Sequence, residues 1–243
     1  MMNFETCIVI PCYNEASFFL LDEYHSFLSQ NKTFICFVND GSTDKTLLIL
    51  EQLEATFPLK VKVLSLKTNT GKAEAVRHGI NYCHQNIKPN ILGYIDADLA
   101  VSLEESIEVA KKVDKITKFA FGSRILRVGS EIERKIHRFL IGRFLATLIS
   151  HILNLKVYDT QCGCKMFEGS LTPILFGEPF TSRWLFDVEL FFRMKKHYGE
   201  NRYKSILLEV PLKKWIDRGE SKVSIFYGFR VFLDLYQIKF RYK

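Results

Sequence analysis

Five short apolar runs, each followed at once by a polar cluster, constrain the fold of this chain more than any other feature. The runs are TCIVI (6–10), FICFV (34–38), VKVLSL (61–66), ILGYI (91–95) and KFAFG (118–122). Between them lie amphipathic stretches at 15–30, 43–56, 72–86 and 102–113. This β-α-β-α rhythm predicts an α/β fold with a mostly parallel central sheet flanked by helices on both faces. Ligands on such sheets bind beyond the carboxyl ends of the strands. The polar clusters stand at those ends: PCYNE, NDGSTD, KTNTGK, DADLA and GSR. A purely structural protein has no need of five such clusters. Beyond residue 123 the rhythm breaks into a basic helical pattern at 134–155, a compact DTQCGCKMF segment, a helix near 184–197, strands near 205–215 and a terminal helix. No Pro/Gly/Ser linker or internal repeat interrupts the 243 residues, so a single domain over 1–243 is expected.

With 47% hydrophobic and 25% charged residues, the chain has the means to bury a large core. The net charge of +7 is unevenly placed. Residues 1–123 carry 12 cationic and 15 anionic side chains, and 157–212 carry 7 of each. The excess lies in 124–156 (7 against 2) and 213–243 (8 against 3). Both blocks interleave Lys and Arg with Phe, Tyr and Leu, a composition suited to a helix lying on an anionic membrane surface. A core helix with a solvated basic rim has the same pattern. No nucleic-acid motif accompanies the charge, so nucleic acid is not an expected partner. No stretch approaches the ~18 uncharged apolar residues of a membrane span, and no secretory signal opens the chain. The expected place is the cytoplasm, with the six cysteines as free thiols and no second ligand pair to make CGC a zinc site.

Asp96 and Asp98 leave the fourth strand two residues apart, where the loop lets both carboxylates turn toward one cation. Carboxylate-only ligation suits a hard ion, Mg²⁺ or Mn²⁺. A lone DxD is also an ordinary turn, and only its place among the other motifs favours the ion. Asp40, before Gly41, closes the second strand where a carboxylate would accept from a base N–H, and DGSTD is equally a helix start. Tyr13 and Glu15 follow Pro11 in the same ambiguous setting. Lys72 opens a helix, where backbone N–H groups and an ammonium favour phosphate, although no GxxxxGK[ST] loop is present. Arg124 is a candidate anion binder, and Arg138 shares a helix face with Arg134. Asp187 and Glu189 stand among bulky apolar neighbours, which suits either a base made stronger by desolvation or a buried ion pair with Arg183 or Arg193.

Together the motifs CYNE, NDGSTD, TGKAEAVRHG, DADLA, GSR, DTQCGCKMF, RWLFDVEL, EVPLKKW and SKVS resemble the inverting family 2 glycosyltransferases of GT-A fold. The resemblance runs from about residue 5 to 235. It is strongest to the subgroup that transfers a sugar to polyprenyl or dolichyl phosphate, the dolichyl-phosphate β-glucosyltransferases above all. NDGS stands where the family more often has DDGS, and CGC where CGF is usual. Asn39 and Cys164 are therefore the places where donor preference would differ.

The resemblance implies a metal-dependent hexosyltransferase using a nucleotide-sugar, UDP-glucose before GDP-mannose, at the inner face of the membrane. Residues 1–123 would form its donor-binding half and 124–243 its acceptor half. It implies that Pro11, Tyr13, Glu15 and Asp40 line the nucleoside pocket and that Lys72 lies by the base or diphosphate. Asp96, Ala97 and Asp98 would meet the donor, with Mg²⁺ or Mn²⁺ on Asp96 and Asp98, the latter the more direct ligand. Arg124, Arg138, Ser221 and Lys222 would receive the acceptor phosphate, and Asp187 takes the place of the catalytic carboxylate beside Asp98. Two alternatives remain: a transferase acting on a glycan hydroxyl, and a nucleotide-sugar-binding protein without turnover.

Overall fold

The structure is a computed structural model that describes residues 4–133, 136–217 and 227–242, without the side chains of 136–138 and 227–229. The first half follows the sequence rhythm: β1 (Thr6–Cys12), α1 (Leu21–Gln30), β2 (Phe34–Asp40), α2 (Thr46–Thr56), β3 (Val61–Leu66), α3 (Lys72–Asn86), β4 (Ile91–Ile95), α4 (Leu103–Ala110) and β5 (Phe119–Ser123). The second half comprises β6 (Glu131–Glu133), α5 (Ile136–Leu153), β7 (Cys164–Glu168), α6 (Thr172–Phe176), α7 (Phe186–Tyr198), α8 (Glu200–Ser205), β8 (Leu207–Pro211), β9 (Lys214–Ile216) and α9 (Tyr227–Arg241).

Seven strands form one sheet in the order β3-β2-β1-β4-β7-β5-β8, and β6 pairs with β9 apart from it. The sheet is parallel except at β7, which runs antiparallel between β4 and β5. β2 is buried at all seven residues, as a central parallel strand covered on both faces should be. One face packs under α1, α2 and α4, through Tyr24, Phe27, Leu50 and Val109 among others. The other packs under α3, α5, α6, α7 and α9, through Val76, Ile149, Phe176, Phe191 and Leu235. α3 can lie close on the sheet because Gly79 has no Cβ; one there would stand 2.4 Å from Val9 Cγ1.

Two sequence expectations are corrected. The helix expected from residue 15 starts at Leu21. The backbone N–H groups of Asn14 and Ala16 donate instead to Ser42 Oγ and Asp44 Oδ2 of the next loop, and that of Glu15 to Thr46 Oγ1 at the start of α2. DTQCGCKMF, expected only as a compact segment, supplies strand β7. Its ladder partners lie about 70 residues before it in β4, a pairing that local pattern does not carry.

Candidate active site

The ends of β1, β2 and β4 and the start of α3 meet at one edge of the sheet. Asp40 is buried and holds this edge together. Its Oδ1 accepts from Thr70 N–H and Thr70 Oγ1, each at 2.8 Å, and its Oδ2 from Gly71 N–H at 2.8 Å. The carboxylate therefore stitches the β2 end to the start of α3. Gly41 beside it has φ +67°, and a Cβ there would lie 2.6 Å from the backbone carbon of Thr68. Asn39, the departure from DDGS, donates to Ser65 Oγ and accepts from Ser42 N–H. Pro11 lies inside β1 opposite Val38, and Tyr13 and Glu15 follow on the loop.

In DADLA the two acidic residues are half-buried while Ala97 and Leu99 pack into the core. Both acidic side chains thus remain partly open to solvent. Ala97 holds the turn by accepting from Tyr24 Oη at 3.1 Å, and Asp98 Oδ1 accepts from Ala100 N–H at 3.0 Å. Leu99 has φ +49°, a left-handed conformation that costs a bulky residue about 1–3 kcal/mol.

Lys72, the first residue of α3, forms an ion pair with Asp96 and lies 5.9 Å from the Phe186 ring centroid. Burial lowers the pKa of this ammonium, but the carboxylates of Asp96, Asp187 and Asp98 outweigh that and the net direction is up. Asp187, in the first turn of α7, is buried beneath them at 4% exposure. Its partner is neither Arg183 nor Arg193. Lys165 Nζ lies 2.6 Å from Asp187 Oδ1, and Tyr94 Oη donates to the same oxygen. Arg193 pairs with Glu189 at 3.0 Å, and the Arg183 side chain crosses over Gly71, whose Cβ would be 3.2 Å from Arg183 Cδ. Sequence proximity suggested these arginines. The sheet decides otherwise, by setting Lys165 directly across from Tyr94.

Arg124 already holds an anion. Its Nε and Nη2 lie 2.6 and 2.9 Å from the two oxygens of Asp159, and its face lies 5.3 Å from the Trp215 ring. Burial alone raises the Asp159 carboxyl, yet the Arg124 charge and hydrogen bonds outweigh it and hold the group at about 2. The pair's stabilisation is therefore complete above the ordinary 3.8 and is lost as pH falls through about 2. Around it Ser123 Oγ, Thr160 Oγ1 and Gln161 Nε2 are buried without a hydrogen-bond partner among the described residues. Ser221 and Lys222 lie outside the described residues, as does the Arg138 side chain.

The sequence reading missed Tyr94, Asp159, Gly163 and Lys165. Tyr94 was legible only as an apolar strand residue. The other three stand in DTQCGCKMF, whose significance was visible but whose folding onto β4 was not.

The family model for glycosyl transferase family 2 matches residues 7–172. A dolichyl-phosphate β-glucosyltransferase, ALG5C, of Trichomonas vaginalis is 31% identical over 96% of this chain and 70% of its own length. The dolichyl-phosphate β-glucosyltransferase of Drosophila melanogaster is 30% identical over 99% and 76%. Among solved structures, glucosyl-3-phosphoglycerate synthase from Mycobacterium tuberculosis, in complex with Mn²⁺, UDP and glucosyl-3-phosphoglycerate, superposes with a TM-score of 0.64 over 97% of this chain and 77% of its own. At 16% identity that likeness speaks for the GT-A fold alone. By the matched family model and by these relatives, the chain belongs to glycosyl transferase family 2.

Proposed function

We propose that the protein transfers a hexose, glucose from UDP-glucose before mannose from GDP-mannose, to a polyprenyl phosphate at a membrane surface, with inversion at the anomeric carbon. The observation that carries this reading is the cluster of Asp96, Asp98, Lys72 and Asp187 at the sheet edge, in a chain whose relatives are named for dolichyl phosphate. Pro11, Tyr13, Glu15 and Asp40 would bound the nucleoside, with Asp40 acting chiefly by holding the loop of Thr70 and Gly71. Lys72 would meet the diphosphate. Arg124, fixed by Asp159, would face the acceptor phosphate together with Arg138, Ser221 and Lys222. Residues 1–123 would serve the donor and 124–243 the acceptor.

A divalent ion fits the residues present. Asp96 and Asp98 offer an all-oxygen donor set, both partly open to solvent. Among the described residues no group of three His, Cys, Asp or Glu gathers there. Mg²⁺ and Mn²⁺ suit so small a set, since phosphate oxygens and water complete the shell. Bound there, the ion would offset charge on the leaving diphosphate.

The outer faces of two helices support the membrane. α5 exposes Leu140, Ile141 and Phe144, and α9 exposes Phe232, Leu233, Tyr236 and Phe240, opposite the side chains that each buries in the core. A core helix with a solvated rim would carry polar residues there. Among the described residues no helix is long and apolar enough to cross a membrane.

The test is turnover of UDP-glucose and GDP-mannose with a polyprenyl phosphate in vesicles containing anionic lipid. A glucosylated lipid phosphate is expected, its formation abolished by EDTA and restored by Mg²⁺ or Mn²⁺, and the protein should pellet with the vesicles and be released by salt. Nucleotide release without a lipid product, or indifference to the vesicles, would refute the lipid acceptor.

A second expectation concerns Gly163. A Cβ there would stand 2.0 Å from Asp96 Oδ2, so Gly163→Ala must push the carboxylate aside. A misplacement near 1 Å costs about 100-fold in kcat. That loss is expected with little change in melting temperature, because the displaced group is a half-exposed side chain. Unaltered turnover would show that Asp96 needs no fixed position.

A further inference from the structure

We infer that Lys165 is a positioning residue for the transfer reaction: it and Tyr94 hold one oxygen of Asp187 so that the other faces the substrate. This rests on the transferase reading above and adds a role to two residues outside the acidic and basic motifs.

The geometry begins in the sheet. β7 runs antiparallel to β4 with Tyr94 opposite Lys165, and to β5 with Phe121 opposite Lys165. Lys165 is thus the middle rung of three strands, and its side chain is wholly buried. An ammonium in such a place is costly unless paired and hydrogen-bonded. Its Nζ finds two acceptors, Cys162 O at 2.6 Å and Asp187 Oδ1 at 2.6 Å. The Tyr94 hydroxyl donates to the same Oδ1 at 2.5 Å. Among the described residues no donor reaches Oδ2.

Two donors on one oxygen fix the carboxylate's rotation about its own axis. Phe186, the residue before Asp187, brings its ring within 5.9 Å of Lys72 Nζ, which sets this end of α7 beside the donor cluster. A carboxylate needed only for stability would gain more by sharing donors between its oxygens. The same turn serves the other acidic element. Cys162 O receives Lys165, and Gly163, the next residue, leaves room for Asp96 Oδ2. Residues 162–165 therefore set Asp96 and Asp187 relative to one another. A Leu or Met at 165 would pack in this core at no charge cost, so an ammonium there answers a requirement other than packing.

The test is a double-mutant cycle of Lys165→Met and Asp187→Asn in the full chain, with kcat and donor KM measured on the same lipid acceptor, and melting temperatures alongside. Lys165→Met is expected to lower kcat about tenfold with donor KM unchanged, as loss of a supporting contact does. The double variant should have the kcat of Asp187→Asn alone to within about threefold, because the pair acts as a unit. Losses that multiply, or a Lys165→Met enzyme with full kcat, would overturn the inference. Should Lys165→Met fail to fold, with Asp187 then buried unpaired, comparison of the double variant with Asp187→Asn still decides, since the double variant buries no lone charge. An inactive wild type would instead count against the transferase reading itself.

Discussion

Asp98→Ala is expected to lower kcat about 1,000-fold, whereas Asp187→Asn lowers it less than about 100-fold. The difference follows from the acceptor. A phosphate monoester has a second pKa near 6 and is largely ionised at neutral pH. Such an acceptor would attack without surrendering a proton, so Asp187 would serve to place acceptor or sugar, and an amide of the same shape would retain much of that. Charge on a departing diphosphate would have no such relief, and Asp98 with Asp96 would hold the ion that offsets it. Rates measured at saturating donor with and without added Mn²⁺ check both variants. If Asp187→Asn abolished turnover while Arg124→Ala and Arg138→Ala changed nothing, a hydroxyl acceptor, which needs a true base, would be the better account.

Arg193→Met is expected to lower the melting temperature by roughly 10 °C without a specific effect on the reaction. Arg193 is buried in α7 and donates to the carbonyls of Leu175, Glu178 and Pro179 and to Glu189 Oε1, with Nε 3.0 Å from Tyr242 Oη. Glu189, wholly buried, also accepts from Thr181 N–H and Tyr242 Oη. One guanidinium thus ties segment 175–179 and the residue following α9 to the helix that carries Asp187. Removing it takes the nearer cation from a buried carboxylate, leaving it Arg241 Nη1 at 3.8 Å, and takes a donor from three carbonyls. Breaking such a pair costs about 3–5 kcal/mol. For a domain of this size each kcal/mol is worth about 2–4 °C. Calorimetry of the variant checks this, with Lys111→Met, which removes an exposed ion pair, as the control that should not move. A shift no larger than the control's would mean that the network is replaceable by water.

These contrasts show where the sequence was legible. Runs such as FICFV and ILGYI and the polar clusters after them determine the strands, their parallel sense and the sheet edge that carries the site, because strand burial on two faces and the need to turn after each strand are local demands on composition. Asp96, Asp98 and Lys72 could be named for the same reason: each stands beside its strand or helix end. Glu189 with Arg193, one helical turn apart, was legible too. What only the tertiary structure decided was partnership across the chain. That Asp187 meets Lys165 rather than a nearby arginine, that Arg124 is taken by Asp159, and that Gly163 crowds Asp96 all depend on β7 entering between β4 and β5. Such pairings join residues separated by 22 to 67 positions. Their energy is released only when the sheet closes, so no periodicity or motif spacing within either segment records them.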